Sequence, residues 1–564
     1  MRRLLAVIGL VLVAACSSKS EVKGGGSGNP TAPAKPTFTV FALAEVRGQI
    51  GPCGCTSDPL GDISRTTKLV EEARAKGPVL VVDAGSLLYA KNPLPAHLEA
   101  QEDLKANLLT SIYKDNLKVA AVGLGPADLA KGPQSVRFAR EASNVSDPAF
   151  KLQPPEVFTV GDAKVGVFGV IAQDTLKDVK VDDPVAAGKK SIDQLKKGGA
   201  QVVIALVQAS SKRDAVALIR DIGSIDLAVA GLGAVAPEPD EISLEPEKIG
   251  DGWLVIPGNR GQVLSRVDVT LRAGATEPLA DAVGPGAAKA KIAQLDHQLQ
   301  RLDADIAKFK ADPSTDPQFI AKKESERTEV AAQKKQLETT PLVVPAKGSY
   351  FTLDQIRINK KLACSVPVRD AIKKYNADAG DANVKAAAGK QPAPAPKGKA
   401  SYVGNEACSD CHQEAVDYWK TTVHAKAWKT LVDRGQQFDY ECINCHVTGW
   451  EQPGGSTLAV NENLRDVGCE QCHGPGSIHV DKGGLEKPFA VMRAPPKDLC
   501  ATQCHTKEHS DTFDFVPYMR DILGKGHGEK AREALGDGPT GHELRSAALD
   551  KAGHELGAGC VETQ

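Results

Sequence analysis

"VGCEQCHGPGSIHVD", residues 467–481, holds the spacing Cys469-x-x-Cys472-His473 and a second histidine, His479, six residues further on. Two thiols three positions apart, followed at once by an imidazole, suit a single porphyrin. The thiols add to its two vinyl groups, and the histidine is carried under the iron. The pattern recurs. "CSDCH" supplies Cys408, Cys411 and His412, and "CINCH" supplies Cys442, Cys445 and His446. "CATQCH" supplies Cys500, Cys504 and His505, with three intervening residues in place of two. Zinc also uses paired cysteines, but here a histidine follows the second cysteine every time. The reading is four covalent haem c groups with His412, His446, His473 and His505 as proximal ligands.

Each iron has a second axial position. His479 is read as a distal ligand to a neighbouring haem. His424 in "TVHAKA" and His527 in "KGHGEK" are distal candidates in the same way. His509, His542 and His554 are further candidates, and Met492 and Met519 weaker ones.

Outward from these motifs the chain changes character. Of the 12 histidines only His97 and His297 precede residue 400, so the metal chemistry belongs to the C-terminal third. Net charge is −2 with no long basic run, which argues against nucleic acid as a partner. At 564 residues several domains are expected.

The N-terminus reads as an export signal. Arg2 and Arg3 precede the apolar run "LLAVIGLVLV", and "VAAC" ends at Cys16. The run is too short to span a bilayer. A small-residue site before a cysteine resembles a bacterial lipobox, which makes 1–16 a lipoprotein signal peptide and Cys16 the lipidated residue. Ser17 after it resembles outer-membrane sorting. Residues 17–36 then read as a flexible tether.

From Thr39 to about Leu271, "TVFALA", "VLVVDAG", "AKVGVFGVI", "QVVIALV", "IDLAVAG" and "WLVIPG" read as strands. "AHLEAQEDLKANLLTSIY" and "KRDAVALIRDI" read as helices, so 37–285 is an α/β domain. Ile292, Leu295, Leu299, Leu302, Ile306 and Phe309 repeat at coiled-coil spacing. "DPSTDP" interrupts them, giving a helical hairpin over 286–340. Residues 341–383 read as a small element packing back on the α/β domain, 384–400 as a Pro/Ala/Lys linker, and 401–564 as a separate module.

Two resemblances can be named. "YVGNEACSDCHQEAVDYWKTTVHAKAW", "CINCHVTGW", "GCEQCHGPGSIH" and "FDFVPYMRDILGKGH" resemble the multihaem cytochrome c-554 family over about 401–530. The resemblance implies four haems stacked close together, a mainly helical shell and electron transfer. It also implies distal roles for His424, His479 and His527, and one haem without a strong sixth ligand. The x3 spacing at Cys500 is the main departure.

The N-terminal domain resembles the 5′-nucleotidase-like metallophosphatases. "TVFALAEVRGQI" aligns with that family's first strand and D-x-H-G turn, "VVDAGS" with D-x-G-D, and "AVGLGPADLA" with G-N-H-D/E. "VVIALVQAS" aligns with the strand ending in a lone histidine, and "IDLAVAGLGA" with G-H-x-H. The ligand positions hold Glu45, Arg47, Ser86, Pro126, Ala127, Gln208, Leu232 and Ala234 instead. Leu, Ala and Pro cannot coordinate a cation and Arg47 would repel one, so the fold is expected without the hydrolase chemistry.

Cys53 and Cys55 stand in a Gly/Pro loop directly after the former metal-binding turn. They read as a redox or soft-metal pair or as structural partners of Cys364 or Cys560. The whole reads as an exported, lipid-anchored multihaem cytochrome of the bacterial envelope, facing the periplasm at the outer membrane. It would exchange electrons with other redox proteins there, and the phosphatase-like domain would be a silent scaffold. The alternatives are a haem enzyme acting on a small nitrogen or sulfur species, and a phosphohydrolase with a redox appendage.

Overall fold

The strand Phe38–Leu43 is buried along its whole length, and its side chains alternate between two cores. Val40 and Ala42 join Val165, Val167, Ile204 and Leu206 in the layer between two sheets. Phe41 and Leu43 point the other way, among residues of the outer helices. Each such Val or Leu contributes roughly 1.5–3 kcal/mol by burial; an aspartate at Ile204 would sit in this layer without a partner.

In this computed structural model the described residues are 36–52, 54–311, 315–485, 487 and 491–560. The signal peptide read at 1–16, Cys16, nearly all of the tether and Cys53 lie outside them. Among the described residues no helix is long and apolar enough to cross a membrane.

The first sheet runs, edge to edge, Ala280–Asp281, Tyr350–Arg357, Val263–Thr270, Phe38–Leu43, Val79–Asp83 and Ala121–Val122. The last three are mutually parallel. The second runs Glu247–Ile249, Gly252–Val255, Leu227–Gly231, Val202–Gln208, Ala163–Ile171 and Glu156–Val160. The helices Pro184–Lys197 and Lys212–Ile222 cover the outer face of this sheet. Asp183 and Ser211 cap them by accepting first-turn amides. The helices Ile63–Arg74, Glu99–Ser111 and Val366–Ala387 cover the first sheet. The architecture is four layers, helix on sheet on sheet on helix, in keeping with the α/β class expected.

Helices Gly284–Ala311 and Pro317–Thr339 form the hairpin. Lys310–Glu324, Arg327–Asp303 and Lys334–Asp296 pair across it in antiparallel register. Leu295, Leu302, Val330 and Leu337 fill its seam.

Three sequence expectations need correction. Tyr350–Arg357 is not an appended element. It lies inside the first sheet, paired with Val263–Thr270 over eight residues. Its alternation of buried and open positions lets it fill that place. The linker does not begin at 384, because the helix from Val366 continues to Ala387, where Asn383 and Ala387 are buried. Nor is the C-terminal part separate. Lys105, itself buried, bridges Glu102 (2.6 Å) and Glu441 (2.8 Å). Gln101 Nε2 donates to Asp439 (2.6 Å), and Cys364 is disulfide-bonded to Cys560.

The C-terminal part is mainly helical, from Glu406–Thr421 to Gly541–Ala552. Its apolar cluster is small: Ala387, Ile443, Val447 and Leu458, with four aromatic rings packed against it. Histidines and cysteines line the space between its helices.

Candidate functional site

Two centres stand out, one filled and one arranged around opposed imidazoles. The filled one lies where the metallophosphatase resemblance puts the metal-ligand positions. Glu45, Arg47 and Ser86 keep left-handed backbone (φ 53°, 50° and 60°) at the turns after two strands. Such non-glycine residues cost on the order of 1–3 kcal/mol each and mark sites where geometry is imposed by function or ancestry.

Their side chains now serve one another. Glu45 Oε1 accepts from Gln208 Nε2 (3.1 Å) and from the amide of Gly233 (3.0 Å), while Oε2 accepts from Arg47 Nε (3.0 Å). Gln208 Nε2 also donates to the Ala84 carbonyl (2.9 Å). Burial pushes the Glu45 carboxyl above its ordinary value, against the opposing pull of Arg47. Asp128 accepts the amides of Ser86, Leu87 and Gly125 and pairs with Arg140 at 3.0 Å, both fully buried. The surviving carboxylates therefore tie down backbone amides. Among the described residues no group of three or more His, Cys, Asp or Glu is set to hold a metal ion.

A cavity of about 2200 Å³ runs from the mouth of this pocket, at Arg47, Asn259 and Arg260, to His424, His446 and His505. Arg260 closes the mouth by pairing with Glu238 (2.8 Å) and with Glu508 of the C-terminal part.

The second centre contains the haem-motif histidines. His412 and His479 face each other with ring centroids 6.4 Å apart and planes 13° apart. His424 faces His505 at 6.2 Å, and His473 faces His527 at 6.0 Å. Two imidazoles bound to one iron from opposite sides place their centroids about 6 Å apart, given metal–nitrogen bonds of about 2 Å. The three centroid separations match that spacing.

The outer ring nitrogens are occupied in the way that such ligation needs. Nδ1 donates to a carbonyl in His446 (Ala427, 2.6 Å), His473 (Met492, 2.6 Å) and His527 (Ile522, 2.6 Å), leaving Nε2 for the metal. His505 Nδ1 shares a hydrogen bond with Ser510 Oγ (3.0 Å). Burial holds His424 and His446 below the ordinary imidazole value and takes His505 down to about 4, which favours the neutral, metal-binding form.

The motif cysteines adjoin one another across motifs. Cys408 contacts Cys469, and Cys445 contacts Cys504, by side-chain hydrogen bonds. Cys472 lies within electrostatic reach of Cys500. Motif order through space is therefore first, third, fourth, second.

The remaining sequence candidates fall elsewhere. His446 has no imidazole opposed to it at this spacing among the described residues. His554 bonds Asp550 on an exposed helix end, and the His542 amide donates to Asp521. Met492 contributes its carbonyl to His473, as above. Cys55 carries a free thiol, so its pairing with Cys364 or Cys560 is ruled out: those two bond each other. Arg434 belongs to the site without any motif to announce it, and Gln503, inside "CATQCH", takes a contact that its motif does not predict. Arg434 acts on His446, and the Gln503 carbonyl accepts from Cys445 Sγ (3.6 Å).

Comparison with known proteins places this arrangement. Residues 407–474 match the family described as cytochrome c554 and c-prime. Cytochrome c-554 of Nitrosomonas europaea is 38% identical over 119 residues, 18% of this chain and 51% of that protein. The chain thus spans about half the length of the curated relative it matches. Among solved structures, a 5′-nucleotidase precursor from Thermus thermophilus is similar at 16% identity and TM-score 0.40, covering 66% of this chain and 62% of that one. The sulfate thiohydrolase SoxB of Thermus thermophilus is similar at 17% and 0.35, covering 43% and 55%. The calcineurin-like phosphoesterase YfkN of Bacillus subtilis is similar at 19% and 0.33, covering 42% and 86%. The C-terminal region carries a cytochrome c554 domain, and the N-terminal region has the α/β fold.

Proposed function

We propose that the chain is an exported, lipid-anchored c-type cytochrome that passes electrons through four covalent haems. Its α/β domain would be a catalytically silent scaffold. The carrying observation is the set of three imidazole pairs at 6.0–6.4 Å, each formed by one motif histidine and one histidine distant from it in sequence. Cys408 and Cys411, Cys442 and Cys445, Cys469 and Cys472, and Cys500 and Cys504 would hold the haems. When bound, haem iron supplies one-electron chemistry. The protein's own part is to fix the rings of His446, His473 and His527 through Nδ1 and to bring the four motifs together.

The scaffold reading rests on the filled pocket. Glu45, the carboxylate that lies where the first ligand would be, is bonded to Gln208, Gly233 and Arg47 instead of facing an open site. Anchoring through Cys16, an envelope location and exchange with other redox proteins there follow from the leader and from the cofactor class.

A second reading has one observation in its favour. Among the described residues His446 lacks an opposed imidazole, which suits a haem enzyme with an open iron for a small nitrogen or sulfur species. The test uses full-length protein: a haem count, a carbon monoxide difference spectrum and a hydrolysis assay. Four haems are expected, with no hydrolysis of nucleotides or phosphate esters in the presence of Mn²⁺ or Zn²⁺. Hydrolysis abolished by Glu45→Ala or Asp128→Ala would refute the silent scaffold.

A further inference from the structure

Glu470 stands between the two cysteines of "CEQCH", at a position on which porphyrin attachment makes no demand. The residue is nevertheless buried, with 3% exposure. Both of its oxygens are taken up by backbone amides. Oε1 accepts from Gly476 (2.7 Å) and Val403 (3.0 Å), and Oε2 from Gly404 (2.8 Å) and Val403 (3.0 Å). A carboxylate suits such a place because it only accepts, and all four contacts are donated to it.

The two segments it joins lead to the two most nearly parallel rings of the centre. Val403 and Gly404 run into the helix Glu406–Thr421, which carries Cys408, Cys411 and His412. Gly476 opens the helix Ser477–Asp481, which carries His479. A Cβ on Gly476 would lie 3.2 Å from Glu470 Oε1, so the turn closes directly on the carboxylate. The seam continues on either side. Asn405 Oδ1 accepts the Cys469 amide (2.9 Å), and the Ser401 amide donates to Ser477 Oγ (2.9 Å). His412 and His479, 6.4 Å apart and 13° from parallel, are thus reached from one buried carboxylate in both directions along the chain.

We propose that Glu470 is the positioning residue of the His412–His479 pair. Through the amides of Val403, Gly404 and Gly476 it sets His479 on the axis opposite His412. The inference rests on the electron-carrier reading and deepens it, by assigning the residue that completes one iron's axial pair. Removing the side chain leaves those amides without their acceptor, and the turn can satisfy them only by moving. Cys469, Cys472 and His473 stay in place, so the loss falls on ligation by His479 and not on haem attachment.

Full-length ferric protein is compared by electron paramagnetic resonance with Glu470→Ala, Glu470→Gln, His479→Ala and the double variant Glu470→Ala with His479→Ala. The reduced proteins are titrated with carbon monoxide, with a haem count on each. All variants should keep the wild-type count. Glu470→Ala should have one more high-spin, carbon monoxide-reactive haem per chain than the wild type, as His479→Ala should. Glu470→Gln keeps one acceptor oxygen and should show a fraction of that change. The double variant should match His479→Ala, because both changes remove the same ligation. Unchanged spectra in Glu470→Ala and Glu470→Gln would overturn the proposal and leave the electron-carrier reading standing. So would a further high-spin haem in the double variant, or loss of covalent haem in both Glu470 variants. A wild-type haem count near zero would overturn both.

Discussion

His412 and His479 lie 67 positions apart in sequence, yet their rings face each other at 6.4 Å and within 13° of parallel. His479→Ala removes one ring and leaves both thiols and the proximal histidine of every motif. Haem attachment should be unaffected, and one haem should become high-spin and open to carbon monoxide. His424→Ala and His527→Ala should each do the same at a different haem, with additive spectra in the double variants. His542→Ala and His554→Ala should leave the spectrum alone. An unchanged spectrum in His479→Ala would mean that the facing rings do not share an iron.

The disulfide Cys364–Cys560 joins the α/β domain to the chain's C-terminal end across 196 positions. A cross-link closing so long a loop restricts the unfolded chain strongly, by roughly 2–5 kcal/mol. Cys364→Ala with Cys560→Ala should lower the denaturant midpoint accordingly, and reductant should lower the wild type but not the variant. Equal midpoints with and without reductant would contradict this.

Asp83 is fully buried, and burial raises its carboxyl from 3.8 to about 7. It accepts from the Tyr113 hydroxyl (2.7 Å) and the Gly85 amide (2.7 Å). The folded state therefore holds a proton that the unfolded state releases between about pH 4 and pH 7. Stability contributed by this group is present at the acid end of that window and is lost as pH rises through it, by at most about 1.4 kcal/mol per pH unit. Asp83→Asn should flatten that part of the stability profile. A profile of unchanged slope would show that Asp83 is ionised in the fold.

Lys105 is buried between Glu102 and Glu441 at the junction of the two modules. Lys105→Met leaves two carboxylates near each other without a counter-charge. Breaking a buried pair in this way costs about 3–5 kcal/mol. The variant should unfold at lower denaturant, and adding Glu441→Gln should recover part of the loss. No recovery would mean that Glu441 is not the partner that matters.

What the sequence discloses follows from how local each constraint is. The four Cys/His motifs are legible because each gathers two thiols and an imidazole within one short run of chain. The strands "TVFALA" and "QVVIALV" are legible because doubly covered parallel strands are continuously apolar. The residues at the positions the resemblance gives to metal ligands are visible one by one, whereas the network of Glu45, Gln208 and Gly233 is not: it joins three strand ends through space. Tyr350–Arg357 reads as an appendage because the hairpin separates it from the sheet it completes. The Pro/Ala/Lys stretch suggests a free module, since composition reports chain stiffness and not the surface that Lys105 and Cys364 use to hold it. Arg434 has no motif, and only its neighbours reveal it.

The cytochrome reading is tested most directly by the ratio of haem to protein, measured by pyridine haemochrome on full-length material. Four haems per chain are expected, falling to three in Cys500→Ala with Cys504→Ala. A wild-type value of three would remove "CATQCH" from the set of haem sites, and a value near zero with bound zinc would contradict the cytochrome reading altogether.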